Sequence, residues 1–505
     1  MKSINQLVSK KPWVGWVIFL GTMVVVFVLG ILASSIVERR AEAVFAYTPV
    51  VEFEDFESRN EIWGKNFPRE YDSWLQTSDT SFKTKYMGSV TIDFLEDNPR
   101  MVVLWAGYAF SRDYNQSRGH FYAIEDMYKT LRVGAPVDGE KSIQPNTCWT
   151  CKSPDVPRMM KELGGAKEFY SGTWETLGHE IVNPIGCADC HDPKNMNLII
   201  TRPALIEAYE NMNLDITKVS HQDMRSLTCA QCHVEYYFDK KKYEGVSYLT
   251  FPWHKGYSME QIEQYYDEIE FTDWVHSISK APMLKAQHPD YELFMKGVHY
   301  SRGLSCADCH MPFHNEGGVK FSSHHAVSPL KYVNQTCQVC HREDTERLVA
   351  DVYDRQDKVK ESRVILEDLL VQAHVEAGFA WENGANEQQM KKALNFIRAA
   401  QWRWDFVAAS HGGSFHAPLE CSRILADGIH KAHQARYELA VILQSLGVAG
   451  KVVYPDISTK AKAQKYIGLD MDKLRADKQR FLDEVVPEWG RLAQERQSKW
   501  TVKNI

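Results

Sequence analysis

The strongest pattern in the chain is at its start, where an apolar run from Trp13 to Val37 is broken only by Gly, Thr22 and a few small residues. Spanning a bilayer takes about 20 residues, and the apolar core of a cleavable signal about 7–15. Residues 1–45 are therefore read as a signal or a membrane anchor. The length favours an anchor, while Ala33-Ser34-Ser35 and Ala41-Glu42-Ala43 resemble small-residue cleavage sites. Lys2, Lys10 and Lys11 before the run, against a mixed Glu38-Arg39-Arg40 after it, place the N-terminus inside and export the rest.

A second pattern begins after residue 341. From Asp344 to about Glu382 apolar residues recur at helical spacing at Leu348, Val352, Val359, Ile365, Leu369 and Leu370. At a rise of 1.5 Å per residue such a helix reaches roughly 58 Å. Asn383-Gly384 ends it, a second helix runs from about Asn386 to Ser410, and a third from Pro418 to Leu446 before Gly447. Residues 46–341 have a different texture: short segments, Gly and Pro, and little alternation at period two. The fold expected is mainly α, with loops wrapped around cofactors in residues 46–341 and long helices in residues 342–505. Long helices of this kind pack against partners, which suggests a dimer interface.

Composition adds two constraints. With 66 acidic and 59 basic residues the net charge is −7, so nothing suggests a nucleic-acid partner. The chain also holds 11 Cys and 19 His. Ten Cys form C-x-x-C pairs: Cys148/Cys151, Cys187/Cys190, Cys229/Cys232, Cys306/Cys309 and Cys337/Cys340. The last four are followed at once by His191, His233, His310 and His341, and the first by Lys152. By composition about 0.01 such C-x-x-C-H motifs are expected in the whole chain. Zinc would join two pairs per ion and give no reason for an abutting His each time. In c-type haem attachment the two thiols bond the porphyrin and the adjacent His ligates iron. The remaining Cys421 is read as a buried thiol.

Lys152 is the exception. An amine ligates iron only when deprotonated, which requires burial beside the metal. A haem ligated unlike its neighbours is the candidate reactive one, and the other four its wiring. Four bis-His haems need four further His from the 15 outside the motifs, and counting alone does not choose them.

From Phe53 to the last helices the chain resembles the periplasmic pentahaem cytochrome c nitrite reductases that form ammonia. The motifs are Cys148-Trp149-Thr150-Cys151-Lys152-Ser153-Pro154, Thr130-Leu131-Arg132-Val133-Gly134-Ala135-Pro136, the stretch Cys229 to Phe238, and Lys285-Ala286-Gln287-His288-Pro289. The resemblance implies five covalent haem c groups and a six-electron reduction of nitrite at the Lys152 haem. Arg132, Tyr236 and His288 would form its distal pocket. A guanidinium suits an anion, and an imidazole with a phenol can relay protons. The resemblance also implies one calcium ion held by the Glu235 carboxylate, the Tyr236 and Lys285 carbonyls and the Gln287 amide oxygen. As distal ligands it implies His325 for the second haem, His120 for the third, His416 for the fourth and His299 for the fifth. It further implies a periplasmic homodimer. The electron donor would be a membrane quinol-oxidising multihaem cytochrome or a soluble multihaem protein. Two other functions fit the residues: an electron carrier without catalysis of its own, or a related enzyme reducing hydroxylamine or sulfite.

Overall fold

The computed structural model describes residues 9–45, 49–142, 144–448 and 450–504, with the side chains of 39–45 and of 503–504 outside the description. Lys2 lies outside the described residues. The chain divides into two compact units, residues 1–52 with 503–505, and residues 53–502.

In the first unit, helix α1 spans Pro12–Phe45. Its stretch Pro12–Glu38 is the one described helix long and apolar enough to cross a membrane. Phe27 is 69 % exposed, and Leu20, Val24 and Ile31 are also exposed. Val51–Glu52 pairs antiparallel with Lys503–Asn504.

The second unit is mainly helical, with two-stranded antiparallel hairpins as its only sheets among the described residues. Helix α2, His221–Ala230, leads into the third Cys pair and starts from a Ser220/Asp223 capping box. The long helices are α3, Thr345–Glu382, α4, Glu387–Ala409, and α5, Pro418–Ser445. Asp344 caps α3 through the Arg347 amide, and Asn386 caps α4 through that of Gln389. Leu366, Leu370, Ala373, Ile397, Ala400, Ile424 and Leu425 are fully buried where these helices pack. A Cβ on Gly428 would lie 2.6 Å from a Leu366 methyl, which shows how closely α3 and α5 approach there. Cys421, on α5, is buried, and burial pushes its thiol up.

A second apolar cluster backs the first Cys pair. Trp149 donates to the Trp174 carbonyl at 2.7 Å, and Trp174 to that of Val133 at 2.8 Å. Phe481 and Trp489, from the C-terminal helices, close over Trp174. This cluster fixes the loop carrying Arg132 and the loop carrying Lys152 to one support.

Candidate active site

One cavity of about 2330 Å³ runs through the second unit, and all ten paired cysteines line it. Small-molecule pockets span about 300–1,000 Å³, so this space suits several large planar groups. The motifs position their thiols by local structure. Cys187–Cys190 and Cys306–His310 each form a short helical turn, which puts residues three apart on one face. A Cβ on Gly186 would fall 1.9 Å from Asn60 Oδ1, which accepts from the Cys187 amide, so the Asn60 side chain would have to give up that position for any larger residue. Side chains of neighbouring motifs touch: Cys151 meets Cys232, and Cys229 meets Cys306.

Four imidazole pairs stand out. Ring centroids are 6.1 Å apart for His191–His324, 6.4 Å for His120–His233, 6.2 Å for His310–His416 and 6.3 Å for His299–His341. Two imidazole nitrogens each about 2 Å from a shared metal put their ring centres roughly 6 Å apart. Each pair therefore leaves room for one iron. Nδ1 of His191, His310 and His324 is held by the carbonyls of Met196 (2.9 Å), Val327 (3.1 Å) and Ser322 (2.9 Å). Such an anchor fixes the ring and frees Nε2. Burial pushes His310 and His324 down to about 4, keeping them in the neutral, metal-binding form. His416 Nδ1 is buried without a hydrogen-bond partner.

His325 is not the residue opposite His191. Its Nδ1 lies 2.9 Å from the Tyr332 hydroxyl, and it is absent from the cavity wall, whereas His324 lines it. Adjacent residues outside a helix project to different sides, so only one of the two can face His191.

Lys152, Arg132, Tyr236 and His288 all line the cavity beside the first pair. The charges of Lys152 and Arg132 act on the Cys148 thiol, which burial pushes up to about 12. The charge of His288 acts on Cys151. Arg132 sits on the single turn Leu131–Val133, held by Asp113, which accepts from the Leu131 amide (2.8 Å) and the Thr130 hydroxyl (2.9 Å). Its guanidinium lies 4.4 Å from the Phe110 ring centre and 3.8 Å from Asp113. Burial and the neighbouring thiols hold the Tyr236 phenol protonated. His288 Nε2 is 2.9 Å from Asp290 Oδ2 and 2.8 Å from His233 Nδ1. Sequence reasoning passed over Asp113 and Asp290. The only signal for Asp290 was its place two residues after His288.

Glu235 is fully buried, accepting from the Gln287 amide at 2.6 Å and the Tyr266 hydroxyl at 3.2 Å. The Gln287 side chain lies 3.3 Å from the Lys285 carbonyl. The Lys285 ammonium turns away to Asp405 at 2.8 Å, so its carbonyl is what it offers here. Burial pushes Glu235 well above the carboxylate range and Asp273 and Glu292 up to about 7. Glu292 Oε2 has no partner. Buried acids beside carbonyl and amide oxygens fit a hard divalent cation such as calcium.

The family model described as cytochrome c552 matches residues 59–499. The chain is 58 % identical to a cytochrome c-552 of Porphyromonas gingivalis over 491 residues, covering 97 % of this chain and 98 % of that protein. It is 46 % identical to a cytochrome c-552 of Desulfotalea psychrophila over 486 residues, covering 94 % of each. Among solved structures it is similar to the cytochrome c nitrite reductase of Desulfovibrio desulfuricans, described as having two calcium sites in its catalytic subunit. That match has a TM-score of 0.74 and 31 % identity, and covers 84 % of this chain and 91 % of that one. With ten paired cysteines around one cavity and a family match over nearly its whole second unit, this chain belongs to the cytochrome c552 family.

Proposed function

We propose that this chain is an ammonia-forming nitrite reductase: NO2⁻ + 6 e⁻ + 7 H⁺ → NH3 + 2 H2O. The observation that carries it is the contrast among five Cys pairs in one cavity. Four have imidazole pairs at iron-sandwiching distance. The fifth has Lys152 beside an anion-binding Arg132 and the proton-carrying groups Tyr236 and His288.

Five haem c groups are held by the thiols of Cys148/Cys151, Cys187/Cys190, Cys229/Cys232, Cys306/Cys309 and Cys337/Cys340. Four of these haems would be held between His191 and His324, His233 and His120, His310 and His416, and His341 and His299, and the first by Lys152. A haem bound at the first pair would supply electrons and a Lewis-acidic iron. Arg132 holds the nitrite oxygens and draws charge from the N–O bond. His288, oriented by Asp290, delivers protons to the leaving oxygen, and the Tyr236 hydroxyl donates a hydrogen bond in the same pocket. Glu235, the Tyr236 and Lys285 carbonyls and Gln287 would hold a calcium ion, and the same two segments carry Tyr236 and His288.

The enzyme acts in the periplasm, tethered to the inner membrane through residues 13–37 if that run is retained. Residues 46–341 form the haem-binding catalytic region. Residues 342–505 form the long-helix region that makes a homodimer, a reading supported by exposed Ile365, Tyr437 and Val441 on α3 and α5. A membrane quinol-oxidising multihaem cytochrome or a soluble multihaem protein supplies the electrons. The test is purified enzyme with reduced viologen. Ammonium stoichiometric with nitrite consumed is expected, and consumption of viologen without ammonium overturns the reading.

A further inference from the structure

Arg202 is buried to 1 % exposure, with Asp189 buried beside it at 3 %. Its Nε donates to the Thr150 carbonyl at 2.6 Å and its Nη1 to the Thr201 hydroxyl at 2.5 Å. Its Nη2 donates to the Ser153 carbonyl at 2.8 Å and to Asp189 Oδ1 at 2.5 Å. The positions of these acceptors are informative. Thr150 lies between Cys148 and Cys151, Ser153 follows Lys152, and Asp189 lies between Cys187 and Cys190.

The third pair is tied into the same knot. Gln231, between Cys229 and Cys232, accepts from the Thr201 hydroxyl at 3.1 Å and donates to the Asp189 carbonyl at 2.9 Å. The residues inside three Cys pairs are thus cross-linked through one guanidinium. Its charge acts on Cys151 and on Cys232.

A buried ion pair is weak as a source of stability, because desolvating both partners offsets their attraction. Its charges act at long range because little water screens them. The same Ala-Asp sequence recurs between Cys306 and Cys309, where Asp308 pairs with Arg225 from α2. There the side chains are 16 % and 26 % exposed, so solvent screens the pair. One acidic loop is thus clasped in the interior and its twin near the surface.

We propose that the Arg202–Asp189 pair is a positioning and electrostatic device that sets the relative reduction potentials of the haems on the first three Cys pairs. The inference rests on haem attachment at those pairs. Cationic Arg202 favours the ferrous state of a nearby iron and anionic Asp189 the ferric state. Their different placement against the three motifs biases electrons toward the Lys152 haem.

The test is spectroelectrochemical titration of the purified holoenzyme, after a haem count that separately checks the attachment reading. Arg202→Gln leaves Asp189 unopposed, and the ferrous-to-ferric ratio of the first three haems at fixed potential is expected to fall by about tenfold, or about 59 mV for one electron. Asp189→Asn leaves Arg202 unopposed, and a shift of opposite sign is expected. Arg202→Lys, which keeps the charge but not the fork, is expected to hold the potentials and lower the melting temperature. Arg225→Gln is expected to shift the first three haems much less than Arg202→Gln. Should Arg202→Gln fail to mature, Asp189→Asn alone tests the sign. Five haems with unchanged potentials, or shifts of one sign in both variants, overturn the proposal, since a merely structural role predicts no sign reversal.

Discussion

Asp290 and His288 form a close pair, with Oδ2 and Nε2 2.9 Å apart. The other Asp290 oxygen accepts from the Ser410 hydroxyl at 2.7 Å and the Gly412 amide at 2.9 Å. Burial works to raise the Asp290 carboxyl, but the His288 hydrogen bond and the nearby His416 and His411 outweigh it and hold the group anionic. Asp290 therefore fixes the His288 ring. Asp290→Asn is expected to lower nitrite turnover by about 10–100-fold, as loss of such an orienting partner does elsewhere. The haem count and KM for nitrite should stay near wild type. Unchanged kcat would show that His288 needs no orienting carboxylate.

The His191–His324 pair gives a spectroscopic prediction. His324→Ala is expected to convert one low-spin haem to high spin in the electron paramagnetic resonance spectrum, while His325→Ala leaves all four low-spin signals in place. His325→Ala removes a buried side chain, so it should cost stability through the lost Tyr332 contact and the cavity left behind, about 2–3 kcal/mol. The reverse pattern would return the ligand role to His325.

The contrast between those neighbours shows where the sequence stops being readable. Covalent attachment needs a local pattern, so the five Cys pairs, and with them Lys152, stand in the sequence itself. The long helices are equally local: Asp344 and Asn386 are caps, Asn383-Gly384 is a break, and the apolar spacing of α3 needs no knowledge of its partners. An imidazole pair such as His120 with His233 joins segments far apart in the chain. Nothing in either segment specifies the other, and the motif family supplied those assignments. Where two His were adjacent, it pointed to His325, whereas the ring 6.1 Å from that of His191 belongs to His324. Asp113, Asp290 and Arg202 were invisible for the same reason: each acts through a partner brought close only by the fold.

The acids around Glu235 predict how cation loss depends on pH. With no cation, burial holds Asp273 and Glu292 at about 7 and Glu235 well above its usual range. A bound cation favours the deprotonated forms, so binding releases protons and weakens as pH falls through 7. Chelator is expected to remove calcium and abolish turnover faster at pH 6 than at pH 8, with added calcium restoring activity. Glu235→Gln should remove most of the affinity while leaving the share of the pH dependence that Asp273 and Glu292 carry. Equal chelator sensitivity at both pH values would place the ion away from these acids.

His276 and His374 stack at 3.7 Å between ring centres, both fully buried, where the loop before Pro282 meets α3. Every ring nitrogen is used. His276 Nε2 donates to the Val103 carbonyl at 2.8 Å, and its Nδ1 accepts from the Ser279 amide at 3.2 Å. His374 Nε2 donates to Gln401 Oε1 at 2.7 Å, and its Nδ1 accepts from the Ser279 hydroxyl at 2.8 Å. Burial pushes His374 down to about 4, and burial with the charge of His374 pushes His276 well below its usual value. An unfolded His titrates near 6.5, so between pH 6.5 and 4 the unfolded chain binds more protons than the folded one. The stability contributed by the neutral pair is complete above pH 6.5 and is lost as pH falls toward 4, by about 3 kcal/mol for His374 alone. His374→Gln keeps an amide to meet Ser279 and Gln401 but cannot titrate. It is expected to melt lower than wild type at pH 7, because the stack is lost, and the gap should narrow or close at pH 5. Melting curves of both proteins at the two pH values decide it: a gap that stays constant means the acid sensitivity of this fold comes from other groups.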